Sequence, residues 1–240
     1  MTTDGIRVCR SYLRAQHAPP HAIPAPAKEA GTVFVTISRE AGARGNSVAA
    51  ALAQRLNGLR ASRLHPWTVL NQDLMERVLD ERQLPPGLAR FFPEARWKEI
   101  DATINTLLHR HPDPWEVWEE ARLSICQLAA RGHVIFVGRG TNFAVEGTSG
   151  GLHVRLVGTR ARREAYLREH RGFSADEARH YVERTDRDRR FFVRQRFGRD
   201  VADPLAYTLV LNTDELSNTQ IVDLLVRLIA DIESAVQGEE

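Results

Sequence analysis

The sequence predicts a doubly wound α/β fold, a parallel five-stranded sheet with helices on both faces, and three observations carry that expectation. Four short apolar runs, Val33 to Ile37, Val134 to Val137, Leu152 to Val157 and Thr208 to Leu211, stand apart along the chain, with a weaker fifth at Thr68 to Leu70. Strands this continuously apolar are the ones buried on both faces, as in parallel sheets. Stretches of helical periodicity lie between them and supply the crossovers. The length, 240 residues, suits one sizeable core.

Taken in order, residues 1 to 30 form an arm. "GIRVCRSYLRAQ" is suited to a short helix, and "HAPPHAIPAPAKEA" is a Pro- and Ala-rich linker with little to bury. The domain proper is expected over 31 to 236. Val48, Leu52 and Leu56 recur at helical spacing after the first strand, as do Ile100, Ile104 and Leu107 or Leu108. Ser174 with Glu177 offers a capping box that opens a helix at about 175, within a helical lid expected over about 172 to 200. Ile221, Leu224, Leu225, Leu228 and Ile232 give the last helix its apolar stripe.

The chain is 42% apolar and 27% charged, and no run approaches the ~20 apolar residues of a membrane span. No membrane association is therefore expected. The first 31 residues lack the apolar core of a secretory signal, so a cytoplasmic location is expected. Cys9 and Cys126 make neither a disulfide framework nor a metal spacing. His109 and His111, two apart before Pro112, lack further ligands for a metal. A net charge of +2 does not argue for nucleic acid; Arg184 to Arg199 carries Phe191, Phe192 and Phe197, whose spacing also suits burial. Lysine occurs only at 28 and 98, so an anion site here must be built from guanidinium groups and backbone amides.

Such a site is suggested by "VTISREAGARGNSVAAALAQRL", residues 35 to 56, in which an apolar strand meets a glycine-bearing turn and then a helix. Backbone amides converge at such a helix start, and the helix dipole adds partial positive charge. Gly42 and Gly45 allow the close approach that a phosphate requires, Asn46 opens the helix, and Ser47 places a hydroxyl within reach of Mg²⁺. The motif G-x-x-x-x-G-K-[ST] is absent, however, because Gly45 stands where its lysine would be.

"ISREAGARGNSVA" resembles the opening of the cytidylate kinase-like family, whose loop usually reads Ser-Arg-Glu-aromatic-Gly-Ser-Gly-Gly. "VIFVGRGTNF" at 134 to 143 is similar to that family's Val-Gly-Arg-Gly segment, and "VERTDRDRRFFVRQRFGRDVADPLAYTLVLNT" at 182 to 213 to its lid and last-strand region. The resemblance implies a P-loop kinase type of fold with a small helical lid. It also implies a phosphotransferase that uses ATP and Mg²⁺ and takes a nucleoside monophosphate, cytidylate or a similar small acceptor. This sequence departs from the pattern with Arg44 for a glycine, Ala41 for an aromatic residue and Asn71 for an aspartate, and like the family it has a serine, Ser38, where true cytidylate kinases have an acid.

Phosphoryl transfer depends on neutralising charge and aligning the reactants. Arg39 and Arg44 in the loop are candidates to hold the donor, together with Gly42, Gly45, Asn46 and Ser47. By resemblance Arg139 contacts the acceptor phosphate, and Arg187 and Arg189 are lid arginines over the transferring group, with Asp186 orienting one of them. Arg184 and Arg190 suit a solvated helix face. Ser47 is the expected metal ligand, with Glu40 or Asp73 as weaker candidates. Residues 93 to 122, with Trp97, Trp115 and Trp118, have room for a substrate-specific or dimer-forming insertion, so a homodimer is compatible with the sequence. The missing acids and lysine leave a second expectation open, a nucleotide-binding regulatory module that has lost efficient catalysis.

Overall fold

The computed structural model describes residues 32–59, 66–71, 122, 125–138 and 140–237. Five strands, β1 (Phe34–Arg39), β2 (Thr68–Asn71), β3 (Val134–Val137), β4 (Gly151–Val157) and β5 (Leu209–Asn212), form one sheet in the order β2-β3-β1-β4-β5. Every neighbouring pair is parallel. This is the doubly wound α/β fold that the sequence predicts, and each expected strand is present to within a residue or two at its ends.

The helices are α1 (Gly45–Leu59), the short α2 (Thr141–Ala144), α3 (Arg160–Arg171), α4 (Ala175–Phe197) and α5 (Asn218–Gln237). Helical residues 125–131 lead into β3. The capping box at α4 is formed: Ser174 Oγ accepts from the Glu177 amide, and the Glu177 carboxylate accepts from the Ser174 amide. None of the described helices is long and apolar enough to cross a membrane. The arm over residues 1–30, the helical pattern from Ile100 to Leu108, the histidines at 109 and 111, and the tryptophans at 97, 115 and 118 lie outside the described residues.

Alternation along the strands divides the interior. Val33, Val35 and Ile37 of the β1 region, Ile135 and Val137 of β3, and Leu152, Val154 and Leu156 of β4 face α1 and α5 in one large apolar cluster. On the opposite face, Phe34, Val134 and Phe136 pack with Leu70, Ala129 and Val145. That second face changes character toward the carboxyl ends of the strands. Thr36 pairs in register with His153, and Ser38 with Arg155, so the sheet becomes polar at the rim where doubly wound sheets bind ligands.

Candidate functional site

Glu40 to Arg44 form the loop between β1 and α1. Gly42 has φ of +79°, and a Cβ there would come within 2.5 Å of the Arg163 carbonyl oxygen, so α3 closes over the loop at a distance only glycine allows. Arg44 is also left-handed, φ 60°, which costs a residue with a side chain on the order of 1 kcal/mol. Its guanidinium donates to the carbonyls of Thr213 and Leu216, the latter at 2.5 Å. Arg44 thus staples the loop to the turn after β5, a use that the sequence does not reveal.

Gly45 stands where the motif lysine would be, and the aliphatic stem of Arg39 lies against it. A Cβ at position 45 would meet Arg39 Cγ at 2.8 Å. The loss of the lysine and the presence of Arg39 are therefore one arrangement. α1 begins at Gly45, so the first-turn amides of Gly45, Asn46 and Ser47 have no intrahelical acceptor. The Ser47 hydroxyl hydrogen-bonds Tyr166 Oη of α3 at 2.8 Å, and the Tyr166 ring stacks on His170.

A polar network locks α3 and α4 to the loop. Arg163 donates to the Ala41 carbonyl and to the Gly158 carbonyl, both at 2.9 Å, and pairs with Asp186 at 2.7 Å. The Glu40 carboxylate lies 3.3 Å from Arg163 Nε and accepts from the Gly158 amide. The other oxygen of Asp186 accepts from the Ala41 amide at 2.7 Å. A carboxylate from α4 therefore binds a loop amide, in the manner expected of a phosphate oxygen. Arg189 donates to the Arg39 carbonyl at 2.9 Å and lies 3.9 Å from Asp186. Asp186 consequently orients Arg163 more directly than Arg189.

Beside the loop opens a shallow cleft lined by Ser38, Arg39 and Glu40 of the β1 end, Gly138 after β3, Arg155 of β4, and Asp186, Arg189 and Arg190 of α4. Arg155 lies 3.4 Å from Ser38 Oγ and over the Tyr207 ring at 5.7 Å. Tyr207 Oη donates to the Val201 carbonyl at 2.9 Å. Gly140, φ 64°, opens α2 and lets Phe197 at the end of α4 approach; a Cβ there would meet its ring at 2.6 Å.

The paired expectation for Arg187 and Arg189 divides in this conformation. Residues two apart on a helix point in nearly opposite directions. Arg189 is 8% exposed in the cleft, whereas the Arg187 side chain is 71% exposed and lies 3.9 Å from Asp188. Positions 186, 189, 190 and 193 share one face, and all four line the cleft, so Arg190, exposed as the sequence suggests, also borders the site. Phe192 and Phe197 pack edge to face, leaving Phe191 exposed and forming no stacking platform. Arg155 and Arg163 are not among the residues singled out from sequence. Polar residues at alternate positions in "LHVRLV" were the signal for Arg155; Arg163, within "TRARREAY", had none. Arg139 and Asp73 lie outside the described residues.

The arginines and loop amides fit a polyanion such as a nucleotide. They do not fit a magnesium ion held by protein. Glu40 and Asp186 are both engaged by arginine, and the described residues contain no group of three or more His, Cys, Asp or Glu side chains that could hold a metal. A metal would be held chiefly by phosphate oxygens and water, with the Ser47 hydroxyl as one protein donor.

A family model described as the cytidylate kinase-like family matches residues 34–215. No curated protein matches the sequence. Among solved structures, an uncharacterized protein from Eubacterium ventriosum is similar with a TM-score of 0.60 at 13% identity, covering 83% of this chain and 99% of that one. A shikimate kinase from Bacteroides thetaiotaomicron matches with a TM-score of 0.45 at 16% identity, over 83% and 99% of the two chains. TT1252 from Thermus thermophilus matches with a TM-score of 0.41 at 18% identity, over 83% and 97%. Of these only the first is close enough in shape to bear on the fold.

Proposed function

Because the chain belongs to the cytidylate kinase-like family, we propose that it is a nucleotide-binding phosphotransferase, moving the γ-phosphoryl group of ATP to a nucleoside monophosphate of the cytidylate kind or a similar small acceptor. The observation that carries this reading is the cleft beside the loop, lined by Arg39, Arg155, Arg189 and Arg190. Phosphoryl transfer asks a protein for fixed positive charge and alignment more than for covalent chemistry, and this cleft has the charge.

In this reading the amides of residues 42 to 47 hold the donor phosphates, and Arg44 keeps the loop in shape. Arg39, lying across Gly45, takes the part of the absent lysine. Arg189 meets the transferring group, and Arg139 contributes to the acceptor side. Mg²⁺ bound with the nucleotide supplies further neutralisation of phosphate charge. The Asp186 carboxylate has to leave the Ala41 amide if an anion is to take that position, which makes closure and opening of α4 part of the cycle.

The test is a coupled assay with ATP, Mg²⁺ and a panel of nucleoside monophosphates, with binding followed by calorimetry in the same samples. Acceptor-dependent ADP formation is expected. Arg189→Ala should lower turnover by roughly 100-fold or more, the loss typical of removing one charge-stabilising donor. Arg187→Ala should change it little. The Asp186 bond to the loop favours a second reading, a module that binds nucleotide without transfer, and tight binding with no turnover would establish it. Neither binding nor turnover would remove both readings.

A further inference from the structure

Three arginines are buried at the rim of the sheet, and two of them have a carboxylate. Arg163 pairs with Asp186 at 2.7 Å, and Arg189 lies 3.9 Å from the same residue. Arg155 is different. It is 7% exposed, and its partners among the described residues are a hydroxyl, Ser38 Oγ at 3.4 Å, and the face of the Tyr207 ring. Neither neutralises a charge. A buried guanidinium without a counter-ion is among the costliest groups a fold can hold, and an apolar side chain of similar size would be more stable there.

The surroundings indicate what relieves that cost. Arg155 projects from the face of β4 opposite to Val154 and Leu156, away from the apolar cluster with α1, and it lines the open cleft. Its register partner is Ser38. An acid at position 38 would pair with Arg155 internally, whereas the hydroxyl leaves the charge for a ligand while contributing a hydrogen-bonding group of its own. Arg189 and Arg190 reach the same cleft from α4.

We propose that Arg155, framed by Ser38 and Tyr207, is the anchor for the anionic group of a small phosphate ester that enters this cleft, with Arg189 and Arg190 closing from α4. Assigning that ester to the acceptor rests on the proposed phosphotransferase reading; the anion anchor itself does not. The planar guanidinium suits two oxygens of one phosphate, and the Tyr207 ring behind it restricts the plane it can adopt.

The experiment uses the full chain, with inorganic phosphate, CMP and ATP as probes, thermal melting and calorimetry as readouts, and two variants, Arg155→Met and Ser38→Asp. Phosphate should raise the melting temperature of the wild type, and the shift should vanish in both variants. CMP binding should weaken by about tenfold or more in Arg155→Met, as when one partner of a buried charge contact is truncated, while ATP affinity stays unchanged. Without any anion, Arg155→Met should melt at or above the wild type, because a buried charge with no counter-ion among the described residues has been removed. A merely structural arginine gives the opposite pattern, a lower melting temperature with anion binding intact, and that result overturns the anchor. Should Arg155→Met not fold, Ser38→Asp decides by itself, since it adds an internal counter-ion and keeps the arginine. If both variants bind phosphate and CMP like the wild type, the anchor is wrong and the phosphotransferase reading stands. If the wild type binds phosphate through Arg155 but no nucleoside monophosphate, the anchor stands and the acceptor assignment fails. If the wild type binds neither phosphate nor CMP, the anchor falls.

Discussion

The two longest described helices, α4 with 23 residues and α5 with 20, are attached to the sheet by different physics. α5 buries Ile221, Val222, Leu225 and Ile229 against Val48, Leu52 and Leu56 of α1 in one apolar cluster. α4 buries Ala178 and Val182 with Leu167 of α3 and Ala41 of the loop in a smaller apolar cluster, and to this it adds polar bonds at the loop: Asp186 on the Ala41 amide and Arg163, and Arg189 on the Arg39 carbonyl. Apolar contact is indifferent to nucleotide. A carboxylate on a loop amide holds a bond for which an incoming phosphate competes directly, since both are charged acceptors for the same donor. The lesson is that fixed and releasable elements can be told apart by the kind of contact rather than by its extent.

The largest effect that would sharpen this comparison is expected from Asp186→Asn. Breaking one side of a buried ion pair costs about 3–5 kcal/mol, and Arg163 keeps only the Glu40 carboxylate, 3.3 Å from its Nε, to offset its charge. Urea denaturation should register that loss, and hydrogen exchange should localise it to residues 175–197, with α5 still protected. Loosening spread evenly over both helices would break the distinction. Next comes Ile229→Ala, for which a cavity in the α5 core should cost about 2–5 kcal/mol. The loss should be global and the same with or without ATP. A nucleotide-dependent loss would mean that α5 also belongs to the moving part.

The smallest effect concerns pH. His153 sits on the polar side of β4, with Nδ1 2.8 Å from Thr36 Oγ1 and its ring against Phe34, and burial lowers its pKa from the usual 6.5. Between 6.5 and that lower value the unfolded chain binds the proton and the folded one does not. This contribution to stability is therefore fully present above pH 6.5 and is lost as the pH falls through the folded value. Melting temperatures measured from pH 7 to pH 5 should fall more steeply for the wild type than for His153→Asn. Equal slopes would show that the ring stays neutral-compatible in both states and that the polar strip of β4 is wetter than its burial suggests.

Much of the fold was legible because it is local. Val134 to Val137 reads as a strand and is one, and Ser174 with Glu177 reads as a helix start and forms both bonds of the box. Of the site, the loop glycines were legible, since a strand running into a helix requires a turn of this kind. Arg189 was legible only together with Arg187, and counting 3.6 residues per turn would have separated them. Arg155 was concealed inside a strand counted as apolar, although "LHVRLV" alternates. Arg163 gave no signal, because its role depends on α3 lying over Gly42.

By itself the sequence determined the alternation of strands and helices, the apolar faces that bury, the glycine at 42 and the absence of a loop lysine. Each of these is written within a few residues, where backbone geometry and side-chain periodicity act. Only the tertiary structure decided that Arg39 lies across Gly45, that Ser38 stands beside Arg155, and that Asp186 binds an amide 145 positions away. Those pairings depend on sheet register and on the rotation of α4 about its axis. Such quantities are set by the packing of the whole core, and no short stretch of the chain encodes them.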